Sequence, residues 1–162
     1  MYLRMAAFIN EQVERGDKLM KLETRDFGEI EIDENETITF AGPIFGFEKY
    51  RKFVFLYQES VSEHFIWLQS TEDPNLCFIL VNPHTISDHY QPVLPGDTVS
   101  ILGDGDYMCW LMASIREPFE TSTVNLKSPV VVNPKLHLAA QFILEGDLPI
   151  RHPLFRKEEK SC

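Results

Sequence analysis

The chain has 162 residues, 44% of them apolar and 12% aromatic, which suits one folded domain with a real core and excludes a disordered chain. Its 15 Lys and Arg stand against 25 Asp and Glu, a formal net charge of −10, and so anionic a surface is poorly suited to holding RNA or DNA by counterion release. Its 3 cysteines are far apart in sequence and show no CxxC spacing, and the longest apolar runs are far short of the roughly 20 residues that a membrane-spanning helix needs, so the chain reads as reduced, cytoplasmic and not membrane-bound.

Residues 4–14 carry mixed helical periodicity with Gly16 placed to end it, and predict a short helix within an N-terminal extension, residues 1–19. From Met20 the texture changes to polar and apolar residues in alternation: 21–25, 29–32 and 37–40 predict strands with one wet face, separated by turns at Gly28 and Asp33-Glu34-Asn35. Seven acids fall between residues 23 and 36 around a single Arg25. An aromatic and glycine-rich loop follows, Phe40-Ala41-Gly42-Pro43-Ile44-Phe45-Gly46-Phe47-Glu48-Lys49-Tyr50. It lacks the GxGxxG and GxxxxGK[ST] spacings that cradle phosphate. Two outcomes stand open for it: Phe40, Ile44 and Phe47 tucked into the core, or an exposed aromatic loop that docks a partner.

Further strands are predicted over 53–57, 65–69, 76–81, 107–115, 121–126, 130–132 and 137–144, divided by 10 prolines and 8 glycines. Many short strands and few helices make this a mainly β chain, a single-domain antiparallel barrel or sandwich. The continuously apolar runs Cys77 to Val81 and Val130 to Val132 are expected to be buried on both faces. Each closes on the same triplet, Val81-Asn82-Pro83 and Val132-Asn133-Pro134, a strand-ending signal because proline cannot donate to the ladder and Asn before it favours a turn. Through all of this, from Lys52 to Arg116, no further Lys or Arg occurs, while eight carboxylates do: Glu59, Glu63, Glu72, Asp73, Asp88, Asp97, Asp104 and Asp106.

Catalytic patterns are absent. His84, Asp88 and His89 resemble metal ligands only loosely, with no HExxH or cysteine-containing zinc spacing, and a small metal-dependent hydrolase built on them is the competing enzymatic reading. Asp104-Gly105-Asp106 lacks the rest of a calcium loop and reads as a hairpin turn. There is no GxSxG, and Cys77 and Cys109 lie in apolar runs as buried thiols rather than nucleophiles. Neither a catalytic group nor a cofactor site is assigned. Arg151 is one of few cations near the end, and an ion pair holding the closing segment to the acidic body is its expected role.

The ordered set of blocks resembles one family. Met20-Lys21-Leu22-Glu23-Thr24-Arg25-Asp26-Phe27-Gly28, the loop Phe40 to Glu48, Trp67-Leu68-Gln69-Ser70, and Glu72-Asp73-Pro74-Asn75-Leu76 leading into Val81-Asn82-Pro83 come first. Asp88-His89-Tyr90-Gln91-Pro92-Val93-Leu94-Pro95, Asn125-Leu126-Lys127-Ser128-Pro129, Val132-Asn133-Pro134 and Arg151-His152-Pro153-Leu154 complete it. In order and spacing these are similar to the flagellar assembly factor FliW family over residues 20–155, with 156–162 as a charged tail. Two departures are visible: family chains begin near Met20, and their loop reads Phe-Pro-x-Gly-Ile-Pro-Gly-Phe-Glu, whereas here Ala41, Gly42-Pro43 and Phe45 replace the proline, the x-Gly and the second proline. The resemblance implies a small β-barrel-like, non-enzymatic protein with two competing partners. One is flagellin. The other is CsrA, an RNA-binding regulator that represses flagellin translation. A chaperone that binds flagellin alone is the alternative within this reading. Phe45 and Phe47 as anchors, Glu72, Asp73 and Asn75 in an acidic turn, and Arg151 with His152 are the expected partner-binding residues.

Overall fold

The computed structural model describes residues 18–156 together with the backbone of Arg4–Met5. Runs of β-branched and aromatic residues give twelve strands: β1 (Arg4–Met5), β2 (Leu19–Thr24), β3 (Gly28–Asp33), β4 (Ile38–Phe40), β5 (Lys52–Tyr57), β6 (Phe65–Ser70), β7 (Cys77–Val81), β8 (Met108–Ser114), β9 (Thr123–Val124), β10 (Val130–Asn133), β11 (Leu138–Gln141) and β12 (His152–Pro153). Two short helices, α1 (Pro83–Ile86) and α2 (Thr98–Leu102), lie between β7 and β8.

Strands β10, β11, β4, β5, β6, β7 and β8 are neighbours in that order, and β8 also pairs with β10, which closes the sheet into a barrel and leaves it no free edge there. Every pairing is antiparallel except β11 with β4, which is parallel, so the expected antiparallel barrel has one parallel seam. Alternation decides which side chains fill it. Phe53 and Phe55 of β5, Ile66 and Leu68 of β6, and Val130 and Val132 of β10 point inward with Ile38, Phe40 and Trp110.

The alternate residues, Val54 and Leu56 on β5 and Trp67 on β6, point outward and would be wet in a bare barrel. Instead the β2–β3 hairpin lies over them: Leu22 and Ile32 pack on Val54 and Leu56, and Phe27 meets Trp67 edge-on at 5.4 Å. Burying each such aliphatic side chain contributes about 1.5–3 kcal/mol, so the hairpin is part of the stable body. On the opposite wall, Leu102 of α2 and Leu94 pack with Val131, Ala140 and Phe142. That cover explains why Val130 to Val132 are buried on both faces, as their apolar run predicts. Cys77 to Val81 departs from the same expectation. Only Leu80 and Val81 are buried, while Cys77, Phe78 and Ile79 are half-buried, because the hairpin over the outer wall reaches Trp67 but its cluster does not extend to Ile79.

Both Asn-Pro triplets end a strand as their chemistry predicts. Asn82 Oδ1 accepts from the His84 N–H at 3.1 Å to cap α1, and Asn133 Oδ1 accepts from the N–H groups of Lys135 and Leu136 at 3.2 and 3.3 Å. The Asp104-Gly105-Asp106 segment, expected as a hairpin, instead joins α2 to β8, where Asn133 Nδ2 donates to the carbonyls of Leu102 and Asp104. The predicted helix over 4–14 is corrected at its start, since Arg4 and Met5 pair with Tyr57 and Leu56 as a strand. Its remaining residues lie outside those described. No helix among the described residues is long and apolar enough to cross a membrane.

Candidate functional site

The loop between β4 and β5 crosses one end of the barrel. Its Ile44 is 1% exposed and joins Phe40 inside, which fulfils the tucked-in expectation for those two residues. Phe47 is the correction: it stays 38% exposed, beside Phe45 at 47%. The cause is a tight turn in which the Phe47 N–H donates to the Ile44 carbonyl at 2.8 Å, with Gly46 at φ +87°, a left-handed conformation that glycine adopts without Cβ strain. Residues 45–47 are thereby lifted onto the rim. Phe47 then rests edge-on against Phe78 at 5.0 Å, and the Phe45 N–H donates to Gln141 Oε1 at 3.1 Å.

The acidic turn between β6 and β7 stands next to this loop, because the register of β5 on β6 sets Phe53 opposite Ser70. Ser70 Oγ accepts from the N–H groups of Glu72 and Asp73, both at 3.0 Å, and Asp73 Oδ1 accepts from the Asn75 N–H at 2.9 Å. Two bridges then tie the turn to the loop. Tyr50 donates its hydroxyl to Asp73 Oδ2 at 2.9 Å, and Glu72 Oε1 accepts from the Arg51 and Lys52 N–H groups at 3.0 and 2.6 Å. The Asn75 N–H first and the Tyr50 hydroxyl second hold the Asp73 carboxyl below its ordinary range, and the Gly46 N–H does the same for exposed Glu48. Both carboxyls stay ionised at neutral pH. Lys49 sits 4.9 Å above the Tyr50 ring.

Below the turn, Gln69 is fully buried, and its Nε2 donates toward the carbonyls of Ser70, Asp73, Pro74 and Leu76 at 3.1–3.4 Å. The Arg25 N–H donates to the same Pro74 carbonyl at 3.0 Å, which brings the β2–β3 turn, with Asp26, to this corner. Phe45, Phe47, Glu72, Asp73 and Asn75 thus form one fixed rim of two exposed rings beside an acidic turn.

Arg151 and His152 do not join it. Strand β12 pairs with β9, and Leu154 packs with Val81, Ile86, Leu111 and Val124, at the end of the β6–β7 hairpin opposite the 71–76 turn. Four residue steps along β7 separate the two ends, roughly 13 Å. The ion pair expected for Arg151 is also corrected: among the described residues it makes none, and the closing segment is held by the β9–β12 ladder, the Leu154 N–H to Ser122 carbonyl bond at 2.9 Å and the packing of half-buried Leu154.

His84 Nδ1 approaches Asp88 Oδ1 to 4.0 Å, both side chains being well exposed, and among the described residues no group of three or more His, Cys, Asp or Glu is placed to hold a metal ion. Cys77 and Cys109 are half-buried thiols, each pushed up to about 12 by desolvation, and therefore protonated and weakly nucleophilic at neutral pH.

This chain is similar to known proteins in both sequence and fold. The family model described as FliW protein matches residues 21–154. The chain belongs to the FliW family. The flagellar assembly factor FliW of Syntrophus aciditrophicus is 35% identical over 144 residues, covering 86% of this chain and 90% of that protein. The FliW of Geobacter sulfurreducens is 36% identical over 147 residues, covering 88% and 91%. A crystal structure of the flagellar assembly factor FliW superposes with a TM-score of 0.79 at 31% identity, covering 86% of this chain and 99% of that one.

Two residues that organise the rim, Gln69 and Tyr50, are not singled out by their chemistry in the sequence. Gln69 reads as the polar end of a Trp-Leu-Gln-Ser strand, and Tyr50 as a loop aromatic. A buried amide in an otherwise apolar strand is the one clue that Gln69 offered, since such a group is nearly always hydrogen-bonded.

Proposed function

We propose that this FliW-family chain is a cytoplasmic, non-catalytic partner switch that binds flagellin and the RNA-binding regulator CsrA in competition, so that free protein captures CsrA and relieves its repression of flagellin translation. The observation that carries the reading is the rim itself, where Phe45 and Phe47 are exposed next to Glu72 and to the ionised carboxylates of Glu48 and Asp73. An RNA-binding protein must present a basic face, and apolar anchors ringed by opposite charge are what such a face would meet. Of the eight carboxylates between Lys52 and Arg116, all but half-buried Asp73 are exposed, so the attraction extends beyond the rim. Negative potential set beside a basic RNA site weakens RNA there without covering it. Arg151 and His152, away from the rim, belong to a second contact region in this reading.

Calorimetric titration of the protein with CsrA and with flagellin, separately and in competition, tests it. The expected result is that both bind, that flagellin displaces CsrA, and that raising salt slows CsrA association. Binding of flagellin alone would make this a dedicated chaperone. Association with CsrA that ignores salt would remove charge steering and leave the contact to the aromatic rings.

A further inference from the structure

Beyond the rim, residues 89–96 and 143–148 face each other across a cavity of about 890 Å³. Both walls are fixed. Leu94 packs into the cluster of Leu102, Val131 and Phe142, and the Tyr90 hydroxyl donates to the Leu126 carbonyl at 2.8 Å. Opposite them, the Leu144 N–H donates to the Lys127 carbonyl at 2.9 Å, and Leu148 packs with Leu111, Val124 and Leu126.

What the walls present is unpaired backbone. On one side, the prolines at 92 and 95 leave N–H groups at Gln91, Val93 and Leu94, and none of these has a hydrogen-bond partner among the described residues. On the other, Phe142 and Leu144 donate inward to the Pro129 and Lys127 carbonyls, while Ile143 between them has neither its N–H nor its C=O bonded there. This is the alternation of an outer strand paired on one side only. Apolar side chains stand beside these groups: Val93 is 85% exposed and Ile143 58%. The exposed carboxylates Glu145 and Asp147 close one end and make no ion pair among the described residues. Lys127, the cation at that corner, has its ammonium committed to the Gly146 carbonyl.

We propose that this groove is a docking site for an extended peptide segment of a protein partner, with apolar side chains at alternate positions and flanking Lys or Arg. The free backbone groups select an extended main chain over a helix, whose own groups are already satisfied. Val93 and Ile143 select apolar residues at a spacing of two, and Glu145 with Asp147 select the cation. The inference stands independently of which partners the rim takes.

The test uses capped heptapeptides added to isotope-labelled full-length protein, with backbone amide shifts as the readout. The probe alternates Val and Lys. One control replaces Lys by Glu, and the other carries N-methyl groups at alternate residues, which deletes donors but keeps side chains and charge. The expected result is saturable shifts at Val93, Leu94 and Ile143 with the Val/Lys peptide, and loss of those shifts with both controls. The double substitution Glu145→Lys and Asp147→Lys is expected to weaken binding roughly tenfold, since two exposed charge pairs are reversed. Both sites are exposed, so folding is kept, and Val93→Asp provides an independent variant in the apolar wall. Equal binding of the N-methylated peptide, shifts spread over the whole acidic surface, no saturable shift up to about 1 mM, or occupation of the groove by a second copy of the protein without peptide would each overturn the proposal.

Discussion

Tyr50 and Asp73, 23 residues apart, meet in a 2.9 Å hydrogen bond that locks the aromatic loop to the acidic turn. The bond favours the ionised carboxyl, as does the stronger contribution from the Asn75 N–H. Asp73 is therefore depressed in the folded state relative to the unfolded chain. Its stabilisation is fully present above the unfolded value of about 3.9 and is lost as pH falls through the lower folded value. Tyr50→Phe removes one of the two hydrogen bonds, so the Asp73 carboxyl rises part of the way back toward its ordinary range. The thermal midpoints of the two proteins should differ by a constant amount near neutral pH and converge in acid. Carboxyl-detected titration gives the site-specific check, and an Asp73 titration unchanged by Tyr50→Phe would show that the hydroxyl contributes nothing.

Gln69 offers a sharper contrast between two substitutions. Three of the four carbonyls its amide serves have other donors: Asp73 takes the Leu76 N–H, Pro74 the Arg25 N–H, and Leu76 the Ser70 N–H. Its own Oε1 is buried without a partner among the described residues. Gln69→Leu thus removes one unsatisfied acceptor while stripping only secondary bonds from the turn, and should cost about 1 kcal/mol in urea unfolding. Gln69→Glu sets a carboxyl among carbonyl oxygens in a buried site, so it should cost at least about 3 kcal/mol at neutral pH and recover as acid protonates it. Equal tolerance of the two variants would mean that the amide does not hold the turn.

The strands were legible because period-two alternation and Asn-Pro endings are local signals. Closure was not. The runs at Cys77 to Val81 and Val130 to Val132 look alike in sequence, yet only the second is covered along its whole length, because α2 lies over it. The loop at 40–50 showed its chemistry but not its direction, which depends on the left-handed Gly46 between two phenylalanines. The β5–β6 register brings the loop of Phe45 and the turn of Glu72 and Asp73 to one end of the barrel, a relation no local signal carries, whereas Arg151 and His152 are carried elsewhere by pairing with β9. The groove at 89–96 and 143–148 had no chemical signature, since unpaired backbone has no residue type.

Desolvation raises both Cys77 and Cys109 to about 12. At pH 8 the thiolate fraction is then roughly a thousandfold below that of an ordinary cysteine of pKa about 8.5. Native protein treated with iodoacetamide should label at neither position over a time in which the urea-unfolded chain labels at both, as read by peptide mass spectrometry. Fast native labelling of Cys77 would mean that the 24–28 and 73–77 corner opens readily, and with it the support of the rim.

Glu72 separates contact from scaffolding at the proposed partner surface. Its Oε1 accepts from two backbone N–H groups at the start of β5, so Glu72→Ala removes both a charge and a strut. Glu72→Gln keeps an acceptor oxygen in the same place and removes only the charge. If the rim meets a basic face, Glu72→Gln should slow CsrA association with little change in dissociation, because an exposed charge acts mainly through encounter. Phe45→Ala should act on the other constant. Its ring is exposed and its only described tie is a backbone bond to Gln141, so truncation leaves the fold intact and removes an anchor worth about 2 kcal/mol or more, roughly thirtyfold in affinity and carried by faster dissociation. Stopped-flow association and surface-based dissociation measurements resolve the two effects. Wild-type rates in both variants would move the partner surface away from this rim, toward the Arg151–His152 end or the groove.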